Sequence, residues 1–171
     1  TVRISDYAGN NQMSQAWLQE NPKVFELENP LGDQEAPELL AFKLSATFDN
    51  SSNRPVIQIN GTAYDPASQV DGVYLRLNRP SGGILDKWVK DRANKETLEF
   101  SNQIPLTTEF QSGTYEVGFL RLNDVAENTV RFVKADIADL GEEFSTELNV
   151  YFPGEEEVSK GATKVVASGK S

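Results

Sequence analysis

The chain has 171 residues, 38% hydrophobic and 25% charged, and its 26 acidic residues against 16 basic ones give a formal charge of −10. That composition supports a folded core; the acidity argues against binding nucleic acid, whose backbone needs clustered Lys and Arg, and no apolar run approaches the length of a membrane insertion. Neither Cys nor His occurs, which removes disulfides, thiolate metal sites and every His-dependent catalytic scheme.

Short alternating runs separated by turn residues dominate the chain, the pattern of an antiparallel β-sandwich. Before them, Ser14–Glu20 reads as a short helix capped by Ser14, with Trp17 pinning it to a core. Glu38–Asp49 alternates through Leu40, Phe42, Leu44 and Ala46, and after a polar turn at Asn50–Arg54 a second strand covers Pro55–Tyr64. Gly72–Asn78 is the clearest strand: Val73, Leu75 and Leu77 share one face, and Tyr74 and Arg76 point the other way. The turn Pro80-Ser81-Gly82-Gly83 leads into a strand over Ile84–Val89. Trp88 in that strand fits the sandwich interior, the usual place for a Trp in such folds; if exposed, it would suit stacking on a sugar. Lys90–Glu96 reads as a loop. Thr97–Ser101 and Ile104–Thr108 read as shorter strands, with Pro105 marking an edge or bend. Gly113–Leu122 alternates imperfectly, which predicts an irregularity near Gly118. Lys134–Leu140 has the look of two helical turns stopped by Gly141, and Phe144–Phe152 closes the series. The expected core unit is one sandwich of about seven to nine strands over 38–153.

An internal repeat organises these elements. Asp6-Tyr7-Ala8-Gly9-Asn10 aligns with Asp124-Val125-Ala126-Glu127-Asn128, and positions 6 and 124 lie 118 residues apart. Each motif follows an alternating strand and precedes a short strand, a helical stretch and a strand ending in Pro (Pro30, Pro153). Residues 1–30 are therefore expected to be the C-terminal strands of a preceding repeat, 31–37 a linker, 38–153 a complete domain and 154–171 a linker or tail. Strands from another copy of the chain, or the Thr163–Ala167 stretch, are expected to complete the orphan half-domain. In the hairpin itself, a two-residue loop with φ > 0 at its centre is expected, with Asp6 and Asp124 locking the turn by accepting backbone N–H groups.

The order GVYLRLNRPSGG, SGTYEV, LRLNDVAENTV and KADIADLG resembles the immunoglobulin-like repeats of large bacterial surface adhesins and secreted proteins, with their D-x-A-G-N hairpin. Glu127 departs from that motif, which has Gly there. The resemblance implies an all-β, immunoglobulin-like sandwich with short helical decorations, exported to the extracellular space or cell surface. It implies a non-enzymatic spacer or adhesion repeat, partnered by neighbouring repeats and by a surface glycan or protein ligand. A carbohydrate-binding module attached to a secreted hydrolase is the alternative, favoured by an exposed row of aromatics on one sheet face.

For chemistry, calcium is the best candidate cofactor, since hard cations take carboxylate and carbonyl oxygens from irregular loops. Asp33 and Glu35 in the linker, with Asp65 and Asp71 around the loop before the Gly72–Asn78 strand, are the expected ligands. Carboxylates at Asp136, Asp139, Glu142 and Glu143 fit the surface of a helix better than a paired catalytic site. No catalytic residue is predicted.

Overall fold

A computed structural model of the protein describes residues 32–155. The expectations for 1–30, including Asp6–Asn10, Ser14–Glu20 and Trp17, and for Thr163–Ala167 lie outside these residues. Chain order is β1 (Glu38–Asp49), β2 (Arg54–Tyr64), β3 (Val70–Asn78), β4 (Ile84–Lys90), β5 (Thr97–Pro105), β6 (Gly113–Asp124), β7 (Thr129–Val133), α1 (Lys134–Leu140) and β8 (Glu147–Val150). The strands form two antiparallel sheets packed face to face, one in the order β1-β2-β5 and the other β4-β3-β6-β7, with β8 also on β6. The fold is an all-β sandwich, and among the described residues no helix is long and apolar enough to cross a membrane.

Period-2 patterning builds the core. Val73, Leu75 and Leu77 of β3 are fully buried, as are Leu120 and Leu122 of β6 and Ile57 and Ile59 of β2. β1 departs from the predicted alternation. Its register on β2 shifts between Leu39 and Ala41, so Leu39 and Phe42 turn inward and Leu40 is left 49% exposed. A bulge adds one residue to the strand and so moves the next side chains to the other face. The irregularity expected near Gly118 is present: Arg76 pairs with Phe119 but the next residue, Leu77, pairs with Val117, leaving Gly118 unpaired. The two short strands predicted around Thr97–Thr108 are one continuous strand, β5, ended by Pro105. β5 lies at the edge of its sheet, where a residue without an N–H does least harm.

The far edge of β6 is shared. β7 pairs with Phe119–Asn123 and β8 with Gly113–Glu116, and α1 occupies the gap between them in sequence. The seven-residue helix is too short to be stable alone; buried Ile137 docks it on the sandwich. Asp136 accepts a hydrogen bond from the Val133 N–H at its start (2.9 Å). Gly141, at φ 147°, terminates it. The strand predicted over Phe144–Phe152 is shorter, because Ser145 turns aside to β1. There its N–H donates to the Phe42 carbonyl (2.9 Å) and its Oγ accepts from the Leu44 N–H (3.0 Å), joining the two sheets.

Two aromatics settle how the interior is filled. Tyr115, near the start of β6, is fully buried, and its hydroxyl donates to the Gln111 carbonyl four residues upstream at 2.9 Å. Burial pushes its phenol pKa up, with Arg79 nearby acting in the opposite direction. Trp88, expected inside, is instead 46% exposed. In β4 it is Val89 that is buried, which puts the neighbouring Trp88 on the outer face.

Candidate functional site

Three segments meet at the end of the sandwich where the chain runs into β1. They are the lead-in over 32–37, the β2–β3 loop and the β6–β7 turn. The β6–β7 turn is built around Asp124. The Asn128 N–H donates to Asp124 Oδ1 (2.7 Å), the Glu127 N–H to the Asp124 carbonyl (3.3 Å) and the Asp124 N–H to the Asn128 carbonyl (3.1 Å). Asp124 thus locks the turn as its sequence position implied. The loop, however, holds three residues (125–127), enclosed by the bond from the Asp124 N–H to the Asn128 carbonyl just beyond the last strand pair, Asn123–Thr129. Glu127 sits at φ 70°, the left-handed position that closes a three-residue hairpin loop and normally carries Gly. The departure of Glu127 from the motif therefore leaves a glycine-type conformation in place.

The β2–β3 loop folds back on Asp65. Asp65 Oδ1 accepts from the N–H groups of Ala67 (2.9 Å) and Ser68 (3.0 Å). The Asp65 N–H in turn donates to the Glu96 carbonyl (2.9 Å), and the Val125 N–H reaches the Gln69 carbonyl (3.1 Å), tying this loop to the β6–β7 turn. Gln69 takes φ 72° to turn the chain into β3.

The lead-in is fastened to both. Asp33 Oδ2 accepts from Ser68 Oγ (2.8 Å), and that hydroxyl also lies 3.2 Å from Asp65 Oδ2. The Asn128 side-chain amide donates to the Asp33 carbonyl (3.0 Å) and to Asp124 Oδ2 (2.7 Å). The result is a compact acidic knot. One carboxylate oxygen from each of Asp33, Asp65 and Asp124 lies within 4.8 Å of the other two. Asp65 is 4% exposed and Asp124 2%. Among the described residues none of the three carboxylates has a Lys or Arg salt-bridge partner.

Of the four acids predicted to gather here, the structure brings together Asp33 and Asp65. Glu35 contributes its backbone, donating an N–H to Asp33 Oδ1 (3.0 Å), while its side chain is exposed and outside the cluster. Asp71 belongs to β3, where its carbonyl accepts from the Ala93 N–H (2.8 Å), and is not part of the cluster. Asp124 completes the triad. Asn128 was visible in the sequence only as the last residue of the hairpin motif, and Ser68 was not singled out, although the Asp65-x-x-Ser68 spacing is that of a side chain capping its own loop.

Comparison with protein-family models, curated proteins and solved structures finds no match to this chain. Ligand atoms around Ca²⁺ lie at about 2.3–2.6 Å, so any two of them are separated by at most about 5 Å. Three carboxylate oxygens within 4.8 Å of one another meet that condition. Ser68 Oγ and the Asp33 carbonyl supply further oxygens beside them. The acids Glu142 and Glu143 are exposed, and Asp136 is committed to capping α1.

Proposed function

We propose that this chain is a structural and interaction module, an immunoglobulin-like sandwich within a large exported bacterial surface protein. Calcium clamps the lead-in over 32–37 onto the loops at that end of the sandwich. The observation that carries the reading is the knot itself. The segment leading into β1 is held through Asp33 by two separate loops, at a cluster of three acids with a cation-sized span. Pinning the lead-in fixes this end of the sandwich, a rigidity that suits a spacer or display repeat.

Two features support the immunoglobulin-like assignment. The sheets pair β1-β2-β5 against β4-β3-β6-β7, which differs from the constant-type arrangement by β4 lying beside β3 in the second sheet. Tyr115 at the start of β6 donates its hydroxyl to a backbone carbonyl just upstream, the corner found at the equivalent strand of such sandwiches.

Calcium sites of extracellular modules bind at roughly 10⁻⁴–10⁻³ M. At 10 mM calcium (~10–100 times Kd), mass action would stabilise the native state by about 1.4–2.7 kcal/mol. Thermal melts with 10 mM CaCl₂ against EDTA should therefore rise by several degrees in the native protein and stay flat in Asp33→Ala and Asp124→Asn. An identical melting curve with and without calcium would remove the clamp from the account.

A further inference from the structure

The outer face of the β4-β3-β6-β7 sheet carries a feature that the junction does not use. Strand register sets Trp88 opposite Tyr74, Tyr74 opposite Arg121 and Arg121 opposite Arg131, so one row crosses four strands. Adjacent strands lie about 4.8 Å apart, and the row is therefore about 14 Å long. The next row along the strands places Arg76 opposite Phe119.

The side chains in these rows interleave rings and guanidinium planes. Tyr74 meets Trp88 edge-on, with centroids 5.1 Å apart, and stacks on Phe119 at 5.9 Å. The Arg121 guanidinium lies 5.0 Å from the Tyr74 ring and 5.3 Å from that of Trp88. Arg131 lies 4.0 Å from Phe119. Stacking of this kind holds a guanidinium plane in place and leaves its N–H edges free for a carboxylate.

The charges on this face are unbalanced in a telling way. Arg76 is neutralised by Asp86 through two bonds, at 2.7 and 2.8 Å. Arg121 and Arg131 stand directly opposite each other, and among the described residues neither has a carboxylate salt-bridge partner. Like charges at directly opposed strand positions destabilise a sheet. Yet this protein has 26 acidic residues and places none of the described ones against that pair. An anion held between the two guanidiniums would relieve the repulsion.

We propose that this face binds an acidic polysaccharide of uronate residues, with Arg121 and Arg131 holding a carboxylate and Trp88 stacking on a neighbouring pyranose ring. A uronate unit combines an apolar C–H face with a carboxylate, and the row presents the complement of both side by side. A row of side chains running across the strands also favours a sugar chain over an acidic peptide. Extended peptides gain affinity from main-chain bonds at a sheet edge, whereas the centre of this row, Tyr74 and Arg121, stands on β3 and β6, whose backbones are already paired on both sides. The net charge of −10 does not prevent binding, because at physiological salt charges farther than about 8 Å from the patch are screened.

The test is calorimetry in calcium-free buffer with hyaluronan, oligogalacturonate and alginate fragments as probes. Maltoheptaose and polyglutamate serve as the neutral and peptide controls. At least one uronate should bind, more weakly as NaCl rises from 50 to 300 mM. Arg131→Ala and Trp88→Ala, both at exposed positions, should each weaken it tenfold or more while the far-UV circular dichroism and a cooperative melt well above the assay temperature are retained. Arg131→Lys should not restore binding, since an ammonium cannot stack or fork. Three results would overturn the proposal: no uronate binds, polyglutamate binds as tightly, or maltoheptaose does. Asp33→Ala, in the lead-in and outside the β6–β7 hairpin that carries Arg121 and Arg131, should leave uronate binding unchanged, so that loss of the calcium clamp and loss of the glycan face are separately visible.

Discussion

Replacing Tyr115 by Phe isolates one hydrogen bond with the packing left intact. The ring is fully buried and stays so in the variant; only the hydroxyl, 2.9 Å from the Gln111 carbonyl, is lost. Gln111 is exposed, so its carbonyl can turn to water and escapes the full penalty of an unpaired buried acceptor. The loss should then fall in the ordinary net range for such a bond, about 1 kcal/mol. For a domain of this size that corresponds to a fall in melting temperature of roughly 3–6 °C. Tyr115→Ala adds the loss of the ring and should cost about 3–5 kcal/mol, as aromatic truncations in cores do. Urea unfolding followed by circular dichroism gives both numbers, and the slope with denaturant should not change for the Phe variant. A Phe variant as stable as the native protein would refute the idea that the hydroxyl fastens the β5–β6 connection to the core.

Two further outcomes follow from local geometry. Glu127→Gly should stabilise the protein by roughly 0.5–1 kcal/mol, since a side chain at φ 70° bears the left-handed penalty that Gly escapes; a lower urea midpoint would contradict this. Asp49 accepts hydrogen bonds from the Ser52 hydroxyl (2.7 Å) and from the Ser51 hydroxyl (2.7 Å) and N–H (2.9 Å), which lower its pKa from 3.8 to about 2. A depressed carboxylate stabilises fully above its unfolded pKa and loses that contribution as pH falls through the folded one. Stability should therefore decline between about pH 4 and pH 2, and Asp49→Ala should flatten that part of the pH profile measured by urea midpoints.

How much of this was legible in the sequence depended on how local the cause was. The strands of β3 and β6 were readable because alternation of Val73, Leu75 and Leu77 against Tyr74 and Arg76 is a direct record of which face is wet. The helix at Lys134–Leu140 and its stop at Gly141 were readable for the same reason, since caps and periodicity act within a few residues. The bulge that exposes Leu40 was not readable, because Leu40, Phe42 and Leu44 alternate without a break, whereas at Gly118 the alternation itself is broken. Trp88 was misplaced because the interior position belonged to its neighbour Val89, and the choice between adjacent residues is made by the register of β4 on β3.

The sequence by itself determined the all-β class, most of the strands, the exclusion of His and Cys chemistry, and Asp124 as a turn lock. Each follows from composition or from spacing along the chain. Only the tertiary structure decided that Asp33, Asp65 and Asp124 share one knot without Glu35 or Asp71, and that Arg121 and Arg131 oppose each other beside Tyr74 and Trp88. Those meetings are made by loop-to-loop hydrogen bonds and by strand register. Both join residues far apart in sequence, and alternation says which face a residue takes but not which residue lies across from it.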